Sequence, residues 1–348
     1  MTGIRIRRDG RAGRITLDRP DALNALTWPM VTAIHEALDA WRGDPAVALV
    51  LIEGEGRAFC AGGDIREMHA RGVAGDFDYG RRFWADEYRM NLALARYPKP
   101  VVTFLQGAVM GGGVGVGCHA AHRIVDNSSR IAMPECAIGL VPDVGGSLLL
   151  ARAPGRLGEY LGLTATRMKA ADALHAGFAD AFVPEGWDEL KRALCAGGDP
   201  GAVAEAAADP GASALAGIRP FADAHFDAPD LPALLSRLEG SDAPEAAAAR
   251  EAVGKVSPLS AALTLALVRA ARADGTLPGA LALEYRITSR APEHGDFVEG
   301  IRALIVDKDG APRWRYSTAA EVPPALLEEM LSPPPGGDLD PASGKDTA

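Results

Sequence analysis

Residues 106–146 read QGAVMGGGVGVGCHAAHRIVDNSSRIAMPECAIGLVPDVGG, and the succession of elements within them decides the fold. A glycine-crowded turn opens a helix, RIVD follows as a short strand, and two carboxylates then stand eight residues apart, at Glu135 and Asp143. Immediately before it, VVTFLQG at 101–107 is an apolar run of the kind found in buried strands. Residues 101–121 carry no Asp, Glu, Lys or Arg over about the length of a membrane span. Six glycines, Gln106, His119 and the preceding Pro98 and Pro100 favour a strand, a tight turn and a buried helix instead.

Working outward toward the N-terminus, a second unit of the same kind precedes it. AVALVLIEG at 46–54 is a continuous apolar run ending in glycine, and RAFCAGGDIREM at 57–68 is a strand end, a glycine turn and a helix start with Asp64 in cap position. Residues 28–42 form an amphipathic helix with Val31, Ile34, Leu38 and Trp41 on one face, stopped by Gly43-Asp44-Pro45. IRIRRDG and GRITLD alternate around Asp9-Gly10 as a hairpin. A helix over 83–94 ends at Tyr97-Pro98-Lys99-Pro100. Toward the C-terminus, 148–161 and 170–176 are helical, and AGFADAFVP at 176–184 is another strand. Repeated strand–helix alternation predicts an α/β fold with mostly parallel strands.

The expected organisation is an α/β core over 1–195, an Ala/Gly/Pro-rich helical connecting region of solvated helices and loops over 196–256, a C-terminal helical cap over 257–318 and a disordered tail over 332–348. A net charge of −10 weighs against nucleic acid, because phosphate binding wants a basic surface. It leaves room for a small anionic ligand held by arginines or helix N-termini. The N-terminal 20 residues carry charge with no apolar run behind it, so no secretory signal is expected, and no membrane partner. Cys60, Cys118, Cys136 and Cys195 show no metal or redox spacing, which predicts reduced thiols and a cytoplasmic location.

Several readings compete for the glycines at 111–117. The dinucleotide pattern G-x-G-x-x-G fails, since a register starting at Gly113 and Gly115 demands glycine at Cys118, and no G-x-x-x-x-G-K-[ST] occurs. Close helix–strand packing is one explanation; main-chain N–H groups at a helix start that stabilise an anion are the other. Two such turns, AGGD at 61–64 and GGG at 111–113, strengthen the second. Glu135 after Pro134 also fits the first turn of a helix, and Asp143 before Val-Gly-Gly also fits an N-cap. The spacing alone does not choose. His119 and His122 lack a third ligand nearby, so no metal is expected, and Cys60 and Cys118 have no base beside them.

With these residues in view, the chain resembles the crotonase (enoyl-CoA hydratase/isomerase) superfamily, and within it the 3-hydroxyisobutyryl-CoA hydrolases. LNALTWPMV, GRAFCAGGDIREM, FWADEYRMN, MGGGVGVGCHAAHRIV, AMPECAIGLVPDVGG, EYRI and DFVEGIRALIVDKDGAPRW carry the resemblance, which spans roughly residues 4–320. It implies a crotonase-like ββα superhelix with a C-terminal helical cap. It implies catalytic roles for Glu135 and Asp143, an oxyanion hole from the N–H groups of Gly63 and Gly112, and substrate contacts at Ala61, Asp64 and Glu87. The substrate implied is an acyl-CoA, hydrolysed as in valine catabolism, with no cofactor beyond the CoA the substrate carries; relatives that form trimers leave a homo-oligomer open. Arg152, Arg156 and Lys308 are candidate contacts for CoA phosphates.

Where hydratases of the superfamily carry a second glutamate, this chain has Gly115, which disfavours hydration. Gln106, Cys118 and Val141 depart from the hydrolase pattern without touching those site positions. The competing expectations are an enoyl-CoA hydratase or isomerase working through Glu135 alone and, outside enzymes, an acyl-CoA-binding protein.

Overall fold

The computed structural model describes residues 3–343. Its chain divides into two compact units, each assembled from three separate stretches of sequence. The first comprises residues through Gly63, Arg89–Ala132 and Arg167–Ala214; the second comprises Asp64–Tyr88, Met133–Thr166 and the chain from Leu215 onward.

The first unit holds the strands β1 (Ile4–Asp9), β2 (Ala12–Leu17), β3 (Leu49–Gly54), β4 (Val101–Phe104), β5 (Ala108–Met110), β6 (His122–Val125), β7 (Arg130–Ala132) and β8 (Ala181–Phe182). Its main sheet runs β1-β2-β3-β4-β6-β8, antiparallel only between β1 and β2, while β5 and β7 pair in a small parallel sheet. The expected hairpin at Asp9-Gly10 forms, with Gly10 at φ +57° where a side chain would be strained. β1 lies at the edge and exposes Arg5, Arg7 and Arg8, charges that discourage pairing with another chain. β3 and β4 are mainly apolar and almost entirely buried, as parallel strands covered on both faces tend to be, with Glu53 and Thr103 the polar exceptions.

Leu49, Leu51, Val102, Phe104 and Ile124 pack with Leu190 and Leu194 of the Trp187–Gly197 helix into one core. The Trp28–Arg42 helix buries Met30, Val31, Ile34, Ala37 and Leu38, and Trp41 rests on Gly13, where a Cβ would lie 2.3 Å from its ring. The stretch 101–121 folds as β4, β5 and the six-residue helix Gly112–Gly117. No single helix among the described residues is long and apolar enough to cross a membrane.

The second unit is helical. Its centre is Pro258–Asp274, in which Leu259, Leu263, Leu265, Leu267 and Val268 are all buried, a broad apolar surface with Arg269 and Arg272 at its margin. Ser257 caps it by accepting from the Ser260 N–H at 3.0 Å, and Gly275 at φ +73° ends it.

Two expectations change here. Residues 214–255 are not simply solvated: Leu231, Leu234, Leu238, Ala246, Ala249 and Val253 form one cluster with Cys136, Leu163 and Leu265. The buried face there is built largely from alanine, which a search for large apolar residues passes over. The tail expected to be disordered over 332–348 is held over 332–343. Arg290 donates to the carbonyls of Ser332 at 2.7 Å and Pro333 at 3.0 Å, Arg286 grips both oxygens of Asp338 at 2.7 Å, and Leu339 is buried. Residues 344–348 lie outside the described residues.

Candidate active site

In the first unit the two glycine turns lie side by side. Cys60 pairs with Val109 in an isolated parallel bridge: the Cys60 N–H donates to Ala108 at 3.1 Å, and the Met110 N–H returns to Cys60 at 3.0 Å. Gly113 has no room for a side chain, since a Cβ would stand 2.2 Å from the Cys60 carbonyl oxygen. Gly111 at φ +49° turns the chain into the Gly112–Gly117 helix. The N–H groups at a helix start have no acceptor within their own helix. Neither the Gly112 N–H nor the Gly63 N–H has an acceptor among the described residues. The packing explanation set out above holds for Gly113, which is required by contact, while Gly112 presents an uncommitted donor. Ala61, in the other glycine turn, donates its N–H to Leu23 at 3.0 Å.

In the second unit four buried carboxyls come together: Glu87, Glu135, Asp143 and Glu284. Glu135 opens the 3₁₀ turn Glu135–Ile138, as the Pro134-Glu135 pair suggested, but its carboxyl is 4% exposed and Oε2 has no partner. Glu87 lies on the Phe77–Ala95 helix at 2% exposure, with Oε1 unpartnered. Asp143 is not the N-cap it resembles. The cap residue of Gly146–Arg152 is Gly145, and Asp143 instead turns inward to accept a 2.8 Å hydrogen bond from the Tyr88 hydroxyl. Glu284 accepts from the N–H groups of Gly145 at 2.7 Å and Ser147 at 3.1 Å and from the Ser147 hydroxyl. Asp64 occupies the N-cap position of Ile65–Val73, but its side chain makes no capping bond.

Burial is the main reason these carboxyls resist ionising. Asp143 is pushed up to about 7 against the pull of the Tyr88 hydrogen bond, and Glu284 is pushed up to about 8 despite its three donors. Glu135 is held well above the usual carboxylate range by burial and then by the charge of Asp143, and Glu87 by the same two causes. Like charges at this density cannot all form, so protons are shared within the group. A carboxyl that titrates near neutrality is suited to accept and return a proton.

Other candidates recede. Among the described residues no group of three or more His, Cys, Asp or Glu side chains could hold a metal ion. Burial pushes the Cys118 and Cys136 thiols up to about 12, so neither supplies a thiolate. Arg156 pairs with Glu159 and Asp227, and Arg152 donates to the Gly275 carbonyl at 3.2 Å. Tyr88, Thr288 and Glu284 escaped the sequence reading as site residues. One signal was available: Glu284 and Thr288 share the buried face of Leu277–Thr288 with Ala280, Leu281 and Ile287, an acid where an apolar residue is due.

The family model described as enoyl-CoA hydratase/isomerase matches residues 12–331. The chain is 37% identical over 349 residues to the mitochondrial 3-hydroxyisobutyryl-CoA hydrolase of Gallus gallus, covering 97% of this chain and 90% of that protein. It is 36% identical over 334 residues to 3-hydroxyisobutyryl-CoA hydrolase 1 of Arabidopsis thaliana, covering 91% and 88%. The crystal structure of an enoyl-CoA hydratase from Rhodobacter sphaeroides 2.4.1 matches with a TM-score of 0.92 at 52% identity, over 97% of this chain and 99% of that one. That of a carnitinyl-CoA dehydratase from Mycobacterium thermoresistibile matches with a TM-score of 0.91 at 41% identity, over 96% and 98%. The fold is therefore the crotonase-like α/β fold expected from the sequence. The cytoplasmic expectation is overturned, because the vertebrate relatives, that of Gallus gallus included, are named as mitochondrial proteins. Reduced cysteines report a reducing compartment, and the cytoplasm is only one of those.

Proposed function

The chain belongs to the enoyl-CoA hydratase/isomerase family, and we propose that it hydrolyses the thioester of a short, branched 3-hydroxyacyl-CoA of the 3-hydroxyisobutyryl-CoA kind, releasing the free acid and CoA. The observation that carries this is the buried pair Glu135 and Asp143, one with an uncommitted oxygen and the other titrating at about 7, in a chain whose relatives are named for that hydrolysis.

In this mechanism the N–H groups of Gly63 and Gly112 receive the thioester carbonyl oxygen and stabilise it as it gains negative charge. Such donors contribute about 3–4 kcal/mol each in other enzymes. Glu135 in its ionised form either attacks the carbonyl, giving an anhydride that water then opens, or draws the proton from the attacking water. On both routes the C–S bond breaks, the CoA sulfur leaves as thiolate and is protonated, and water supplies the carboxylate oxygen of the product. Asp143 holds the substrate hydroxyl or orients the water, and Glu87 lines the acyl group. The uncommitted N–H groups and the raised carboxyls support these roles. No cofactor enters the scheme.

The competing reading is hydration of an enoyl-CoA, favoured by the description of the solved structure at 52% identity. Adding water across a double bond wants two carboxylates on that water, and the Gly112–Gly117 helix offers none, with Gly115 where the second would stand. Thiol release measured with 3-hydroxyisobutyryl-CoA, beside the absorbance of crotonyl-CoA, decides between them. We expect free CoA from the first and no change in the second, and Glu135→Gln should lower CoA release by about 10²–10⁴-fold. Loss of crotonyl-CoA absorbance without thiol, or a Glu135→Gln protein as fast as wild type, refutes the assignment.

A further inference from the structure

The Leu277–Thr288 helix presents two polar side chains one turn apart, Glu284 and Thr288, both fully buried. Each reaches the Asp143 segment by its own route. Glu284 clamps the main chain after the acid: its carboxyl accepts from the N–H groups of Gly145 at 2.7 Å and Ser147 at 3.1 Å. Directly after Asp143, Val144 sits at φ +54° and Gly145 at φ +77°. A β-branched residue in the left-handed region is strained and persists only where its surroundings hold it. The Gly146 N–H closes the turn on the Asp143 carbonyl at 2.7 Å.

Thr288 acts on the side chain. The Tyr88 hydroxyl lies 2.8 Å from Asp143 Oδ2 and 3.2 Å from Thr288 Oγ1. The Tyr88 hydroxyl is the donor in both contacts: its one proton lies on the shorter path to the carboxylate, and Thr288 Oγ1 is the second acceptor that orients it. Tyr285 meets the Tyr88 ring edge-on at 6.4 Å and fixes its plane.

The titratable groups that face Asp143 are Glu87 and Tyr88 from the Phe77–Ala95 helix, Glu135 from its 3₁₀ turn and Glu284 from Leu277–Thr288. Three of them oppose its charge, and among the described side chains it is the Tyr88 hydroxyl that donates to it, beside a main-chain N–H. We infer that Tyr88, Thr288 and Glu284 are positioning residues: the Thr288–Tyr88 relay holds the Asp143 carboxylate in its ionised form, and Glu284 fixes the turn that aims it. This rests on the hydrolase reading for its consequence in turnover, but the relay itself is testable without turnover.

The experiment is a carbon-detected NMR titration of the side-chain carboxyls in the intact protein, with Asp143→Asn assigning the signal, beside the pH profile of kcat for CoA release. Tyr88→Phe should move the Asp143 midpoint up by about one pH unit, as loss of a hydrogen bond to a charged group requires. The acid limb of kcat should move with it. Thr288→Val should move both by less, and Thr288→Ser should restore both. A merely structural role would lower the melting temperature and leave the midpoint in place, and that result in Tyr88→Phe overturns the inference. Should Tyr88→Phe not fold, the Thr288→Val and Thr288→Ser pair decides in the same way. A midpoint that moves in a protein hydrolysing no thioester sinks the hydrolase reading and keeps the relay.

Discussion

Asp143→Asn should leave the protein more stable at pH 8 than the native side chain does, with the advantage fading as the pH falls. Asp143 is 4% exposed and is moved from an ordinary 3.8 up to about 7. A carboxyl with a raised folded value contributes stability while protonated, below its unfolded value, and loses that contribution as the pH rises through its folded value. The loss therefore runs between about 4 and about 7 and is complete at pH 8. Each pH unit is worth 1.36 kcal/mol, so about 3 kcal/mol falls between pH 5 and the Asp143 midpoint. That is a ceiling, because Glu87 and Glu135 take up part of the proton sharing once Asp143 cannot ionise.

Asparagine keeps an acceptor for the Tyr88 hydroxyl and never charges. Any local cost of its amide is the same at both pH values and cancels in the difference. Urea unfolding of both proteins at pH 5 and pH 8 gives the four free energies needed. With a slope of about 3 kcal/mol/M, the relative midpoint should move by up to about 1 M between the two conditions. If the asparagine protein differs from wild type by the same amount at both values, or loses ground at pH 8, Asp143 is not a carboxyl held against ionisation and the account of the cluster is wrong.

Two further changes test the two units separately. Gly113→Ala places a methyl group 2.2 Å from the Cys60 carbonyl oxygen, so the helix start must move; kcat for CoA release should fall about 10²–10³-fold as the Gly112 donor shifts, and unchanged turnover would show that the turn tolerates displacement. Arg272→Ala removes the guanidinium that holds the fully buried Glu159 at 2.6 and 2.8 Å, leaving Arg156 at 3.1 Å. It should cost about 2–4 kcal/mol by urea unfolding, with Arg272→Lys recovering little because the fork is lost, and a loss under about 0.5 kcal/mol refutes it.

What could be read from the chain was local. The apolar runs at 46–54 and 101–107 became β3 and β4 because parallel strands covered on both faces are built mainly from apolar side chains, with Glu53 the ion-paired exception. The glycine turns were visible because glycine has so few reasons to be repeated. Asp143 reads equally well as an N-cap because Asp-Val-Gly-Gly satisfies the local rule; its partner Tyr88 lies 55 residues away. Glu284 and Thr288 were hidden for the same reason: an acid and a hydroxyl on a helix pass for solvated residues until something distant buries them. The division into two units was beyond composition altogether, since each is built from three stretches interleaved along the chain.

The protein contains its own control for the chemistry of the cluster. Glu53, 6% exposed, is as well hidden as Asp143, yet its carboxyl is drawn down to about 2. The difference lies in who answers the charge. Arg14 donates to Glu53 at 2.7 Å and Lys191 stands at 2.9 Å, so two cations outweigh the cost of burial. Asp143 has a neutral hydroxyl and three neighbouring acids. A cation beside it would fix it as a permanent anion, good for holding strands together and useless for passing protons at neutral pH. A wholly apolar pocket would keep it protonated and equally idle. A single phenol, oriented by a threonine, lies between these limits and leaves Asp143 titrating at about 7.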